Sequence, residues 1–169
     1  MASSTINDSL VSQFNASLKT LENCIDACPL EEWNKSHGDY PFSQVVFHTL
    51  FYCDFYLSEN EEVFKKQEFH RNHKETFADY EELEYKIPVH LYEKDFIKEY
   101  LEYCKEKIIV EVKDLRNEDL LNVREESIKK MSKLELYIYV IRHIQHHVAQ
   151  LGLRLQFLLK KEMEWVSRG

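Results

Sequence analysis

Residues 132–159 read SKLELYIYVIRHIQHHVAQLGLRLQFLL. The run has no proline, and Leu134, Tyr137, Ile141, Ile144, Leu151, Leu155 and Leu158 recur at the three- and four-residue spacing of one helix face. Ser132 and Glu135 stand in capping-box spacing, so a long helix is predicted over about 132–162. A helix of that length buries its stripe only against partners of comparable length, which points to a bundle. With His143 at zero on the helical wheel, Leu136, Tyr139, His147, Gln150 and Arg154 fall within about 40° of it. The centre of the apolar stripe is rotated away by roughly 80–100°. His143 and His147 therefore stand at the border of the core, where a cleft between helices opens.

The rest of the chain supplies the partners. Leu10, Phe14, Leu18, Leu21, Ile25 and Cys28 mark a helix over about 4–27, ended by Pro29. The segment PLEEWNKSHGDYP is read as a connection. A second helix is expected over about 42–58, with Ser43 as a candidate cap, Val45, His48, Thr49, Tyr52, Phe55 and Tyr56 on one broad face, and Asp54 turned to solvent. Residues 59–91 are the least regular and read as a long surface crossover with a short helix near 61–67. A third helix over about 93–115 carries Ile97, Leu101, Cys104, Ile108, Val112 and Leu115, and a short linker near RNEDLLNV follows. The predicted fold class is all-α: one domain spanning 1–169, a four-helix bundle with a long crossover between the second and third helices.

Composition agrees. Three Gly and three Pro in 169 residues leave few tight turns, and charged residues make up 31 %. The formal charge of −8 argues against a surface that tracks phosphates, so neither nucleic acid nor an anionic membrane is an expected partner. No apolar run approaches the ~20 residues of a membrane span, and MASSTINDSL does not read as a signal peptide, so a cytoplasmic protein is expected. Cys24, Cys28, Cys53 and Cys104 are then free thiols acting as small core residues.

His143 and His147 lie four apart, one turn above the other on a single face. His48 stands in the apolar stretch VVFHTLFYCDFYL of another helix. Three imidazoles from two facing helices would hold one metal ion and leave coordination positions open, as a catalytic site requires. The competing reading of the pair is a solvated helix edge, and that of His48 is a buried histidine satisfied by another polar group. His146 is turned about 100° from His147. His70 and His73 are read as a surface pair on the crossover, and His37 and His90 as exposed. Other metalloenzyme patterns fail, since HExxH would need Glu where Ile144 stands and no Glu-x-x-His pair occurs in the helices.

A lone His early in the second helix followed by HxxHHxxQL in the last, here His48 and His143, His146, His147, Gln150 and Leu151, resembles the DinB-like metalloprotein superfamily. The stretch EYLEYCKEKI at 99–108 resembles the third helix of such proteins. Many members carry HHRGQ, with Arg-Gly where this sequence has Val148 and Ala149. The resemblance implies a metal held by His48, His143 and His147, with water in the remaining positions. Zinc or nickel is the expected ion, with iron and manganese also found in relatives. It further implies a homodimer and either a thiol S-transferase using a low-molecular-weight thiol or a metal-dependent hydrolase.

The expected partner is thus a small molecule. Tyr52, Phe55, Tyr139, Gln150 and Arg154 are the candidate substrate-binding residues, with Gln150 and Arg154 set to meet a polar or anionic end. With no carboxylate on the His143 face, thiol transfer, which needs no general base, is favoured over hydrolysis. A metal- or ligand-binding stress-response module without turnover is the alternative.

Overall fold

The computed structural model describes residues 5–36, 40–77, 80–84, 90–113, 115–123, 129–160 and 162–169; His37 lies outside them. Helix α1 spans Ile6–Ala27, with the Thr5 hydroxyl accepting from the Asp8 N–H and the Asp8 carboxylate accepting from the Thr5 N–H. The connection after Pro29 contains a one-turn helix α2, Leu30–Trp33. It forms because Trp33 has somewhere to go: its ring is buried and its Nε1 donates to the Tyr92 carbonyl at 2.7 Å. Helix α3 spans Phe42–Leu57 and starts after Pro41 without a side-chain cap. Ser43 instead donates to Asn34 Oδ1 at 2.6 Å, holding the connection against the bundle.

Between α3 and the next long helix come α4 (Glu61–Lys65), α5 (Glu68–Asn72), α6 (Lys74–Phe77) and a 3-10 turn at Glu81–Glu84. Helix α7 spans Lys94–Val112, α8 Asn117–Leu121 and α9 Lys133–Leu159, the last opened by Ser132 accepting from the Glu135 N–H. The four long helices pack as a ring in the order α1, α9, α3, α7. Side-chain pairs fix their directions. Phe47 meets Tyr92 and Phe96, whereas Asp54 meets Lys107, so α3 and α7 run parallel. Asn7 reaches Lys113 and Asp26 reaches Lys98, so α1 and α7 are antiparallel. Two parallel neighbours in sequence need a connection that returns along the bundle, and its described part carries α4, α5, α6 and the 3-10 turn.

That connection changes the surroundings of α3. Its sequence is apolar nearly all round, the pattern of a helix covered on every side. Asp54, expected at solvent, is fully buried under α5. His70, expected on the surface, is 2 % exposed because its Nε2 donates to Asp54 Oδ2 at 2.9 Å. His73 stays at the edge, near Glu99, and His90 is exposed as expected. Within α3 the half-exposed positions are His48, Tyr52 and Tyr56, one stripe at four-residue spacing. In α9 the buried line runs through Leu136, Tyr137, Val140, Ile144, Val148, Leu151 and Leu155, while Leu158 is exposed. All four cysteines are free and buried. Among the described residues no helix is long and apolar enough to cross a membrane.

Candidate metal centre

The open stripe of α3 faces an open stripe of α9. Tyr139, His143 and His147 are each half-buried and lie one turn apart. The two helices run antiparallel, so the stripes pair as three rungs. His48 stands against His147 with ring centroids 4.9 Å apart, Tyr52 against His143 at 5.7 Å, and Tyr56 against Tyr139 at 5.5 Å. His48, His143 and His147 each offer a ring nitrogen within 4.8 Å of the others. The trio expected from sequence therefore converges.

Tautomers follow from the partners. His48 Nδ1 donates to a carboxylate oxygen of Glu82 at 2.7 Å, which leaves the Nε2 lone pair for the site. His147 Nδ1 donates to Gln150 Oε1 at 2.8 Å, with the same consequence. Gln150 in turn donates from Nε2 to His146 Nε2 at 3.2 Å, so Gln150 and His146 form the outer support of His147. His147 Nε2 faces His143 Nε2 at 3.1 Å. That separation is close to what two nitrogens on one zinc ion would show, since ~2.0–2.1 Å bonds at a tetrahedral angle give about 3.3 Å. His143 Nδ1 is buried without a hydrogen-bond partner, so apart from the Nε2 contact with His147 the ring is held by packing. Two imidazole nitrogens pointed at each other inside a half-buried cluster fit a cation between them.

Protonation is suppressed. Burial, helped by His147, His48, His146 and Lys129, holds His143 down at about 3. Burial also holds His147 down at about 4, against the raising effect of its bond to Gln150. Both rings are neutral at physiological pH, the form that binds metal.

Glu82 is what sequence reading missed. It sits in the 3-10 turn of the crossover, is 5 % exposed, and its backbone carbonyl accepts from the Tyr52 hydroxyl at 2.7 Å. The turn is aimed by Tyr80, whose φ of 44° is left-handed, a conformation uncommon outside glycine. Its hydroxyl holds it there by donating to the Lys65 carbonyl at 3.0 Å, next to His70 Nδ1 at 3.3 Å. No periodicity marks Glu82; the available signal was a carboxylate in a crossover long enough to pass over His48.

Of the other expected site residues, Tyr52 and Tyr139 line the rungs. Phe55 points away, with its ring 5.0 Å from that of Phe64 in the core. Arg154 donates to the Tyr40 carbonyl at 2.7 Å, closing the far end of the α3–α9 seam beyond His147.

A family model described as the DinB superfamily matches residues 13–151, a span that contains all three histidines. The chain belongs to the DinB superfamily. No curated protein and no solved structure gave a significant match. The three-imidazole cluster of this DinB protein fits a divalent metal ion.

Proposed function

We propose that this DinB protein is a divalent-metal-dependent enzyme of the thiol S-transferase type, joining a low-molecular-weight thiol to a small electrophile. One observation carries the reading: His48, His143 and His147 converge as neutral donors, while Glu82 is bonded to the back of His48 rather than turned to the ligand side. A divalent ion held by neutral donors keeps its full charge and, when bound, would hold a thiol deprotonated near neutral pH. Zinc or nickel is the proposed ion, with iron or manganese as lesser candidates.

The chain's own groups do the rest. Glu82 and Gln150 fix two imidazoles in the tautomer that presents Nε2. The depressed basicity of His143 and His147 keeps protons from competing for the site. Tyr52, Tyr56 and Tyr139 give a half-exposed aromatic wall against which a partly apolar electrophile can lie. In the reaction the thiol sulfur bonds to carbon as the leaving group departs with its electron pair, and the thiol proton passes to solvent. Four free thiols and a net charge of −8 support a cytoplasmic protein without a nucleic-acid partner.

The test is an assay of the metal-loaded and the stripped protein with a panel of thiols and an activated aryl halide, beside a panel of esters. Thiol-dependent turnover that needs the metal and is lost in His147→Ala is the expected result. Metal-dependent ester cleavage without thiol would replace the transferase with a hydrolase. Full metal loading with neither activity would leave a non-catalytic binding module.

A further inference from the structure

The 3-10 turn of the crossover reaches His48 from a strained start. At Tyr80, with φ 44°, the backbone is left-handed, a conformation that costs a tyrosine energy unless its surroundings over-determine it. Those surroundings are specific. The Tyr80 ring lies 5.7 Å from that of Phe64 and 6.3 Å from that of Phe77, and the Lys65 ammonium is 5.2 Å from its centre. Its hydroxyl donates to the Lys65 carbonyl and stands 3.3 Å from Nδ1 of His70, the ring bonded through Nε2 to buried Asp54. From this anchor the chain turns at once. The Leu83 N–H donates to the Tyr80 carbonyl at 2.8 Å, and Glu82 falls inside that turn. The Tyr52 hydroxyl fixes the Glu82 carbonyl at 2.7 Å. The Glu82 side chain is only 6 % exposed, a costly position for a carboxylate unless a donor meets it, and the His48 Nδ1–H meets it at 2.7 Å.

We propose that Tyr80 is a positioning residue for the metal centre: anchored on Lys65 and His70, it aims Glu82 at His48 and so couples order in the crossover to occupancy of the histidines. The inference rests on the metal-dependent reading above. Tyr80 does not touch the three histidines, so any effect it has on them passes through the turn and Glu82. Without its hydroxyl, less holds the left-handed backbone in place, and the turn relaxes to conformations in which the carboxylate no longer backs His48. The coupling is reciprocal by linkage: whatever the ordered turn adds to metal affinity, the bound metal returns as order in the turn. A merely structural role would lower the stability of the crossover and leave metal affinity unchanged.

The experiment measures zinc affinity of the full chain by competition with a chromogenic chelator, without any turnover. Tyr80→Phe keeps the ring and deletes the hydroxyl; it should weaken zinc binding by about fivefold, short of the 10- to 100-fold expected of Glu82→Gln. The double variant should bind no more weakly than Glu82→Gln alone, because the two residues act in series. Wild-type affinity in Tyr80→Phe, or losses that multiply in the double variant, overturns the positioning role while leaving the metal reading intact. Hydrogen exchange at the Leu83 amide gives a second readout that needs no change at Tyr80. Zinc should slow that exchange about tenfold more in the wild type than in zinc-saturated Glu82→Gln, a comparison that cancels the general stabilisation by bound metal. Equal slowing in the two proteins overturns the coupling. Failure of the wild type to bind zinc overturns the metal reading and the positioning role with it.

Discussion

At the residue scale, the histidines differ in what holds them. His48 and His147 are each anchored through Nδ1, by Glu82 and Gln150, whereas His143 Nδ1 has no such support. Removing a partner that orients a metal-ligating histidine lowers affinity by about 10- to 100-fold. Glu82→Gln should therefore weaken zinc binding by that order with the helical circular dichroism unchanged, as competition with a chromogenic chelator would measure; equal affinities would mean the carboxylate is there for the crossover alone. His147→Ala should abolish stoichiometric binding and His73→Ala should leave it intact, since His73 sits with Phe69 and Glu99 on the other side of the crossover. The juxtaposition of His143 and His147 was legible in the sequence because helical spacing alone sets two imidazoles on one face. Glu82 was not, because its approach to His48 depends on a left-handed tyrosine and on tertiary contacts that carry no local pattern.

At the element scale, the crossover is clasped to the bundle through Asp54. Its carboxylate accepts from His70 and Tyr100 at 2.9 Å each and from Lys107 at 2.5 Å, and Lys107 also donates to Ser58 and Gln67. Burial pushes the Asp54 carboxyl up, but the His70 hydrogen bond and the Lys107 charge outweigh it and hold it below its ordinary value. A carboxyl lowered in the folded state contributes stability above its unfolded value of about 4 and loses that contribution as pH falls through the lower folded value. Urea unfolding followed downward from pH 4 should show a steep loss for the wild type and a shallower one for Asp54→Asn. At pH 7 the same substitution should cost about 3–5 kcal/mol, because Lys107 is left buried without its counter-charge. Helices α1, α7 and α9 were legible from their stripes within a few residues at each end. The crossover helices were largely not, since four- and five-residue turns hold too few positions for a period to emerge. The burial of Asp54 had one signal: α3 is apolar nearly all round, and its half-exposed stripe, through His48, Tyr52 and Tyr56, lies on the opposite face.

At the scale of the whole molecule, two properties can be checked directly. Zinc at a thousand times its dissociation constant should stabilise the fold by at most about 4 kcal/mol, less whatever the unfolded chain's thiols and imidazoles bind, seen as a rise in melting temperature that His147→Ala loses. Leu153 and Phe157 stand exposed on α9, near the trend of His146 and Gln150, and a homodimer would cover such a patch. Light scattering should then give twice the chain mass, and the monomer mass at every concentration would reject the dimer. The separation in sequence between His48 on α3 and the histidine pair on α9 has a further consequence, for biosynthesis. His48 emerges from the ribosome first, while His143 and His147 arrive about 95 residues later on α9, so the three histidines cannot meet until α9 has been made. Cys24, Cys28, Cys53 and Cys104 all precede them and, before they are buried, are the softer ligands on offer to a thiophilic ion. Docking of α9 would therefore decide where a metal ion resides: before it, thiols in the nascent chain would compete for the ion; after it, those thiols are sealed in the core and the imidazoles face one another at the seam.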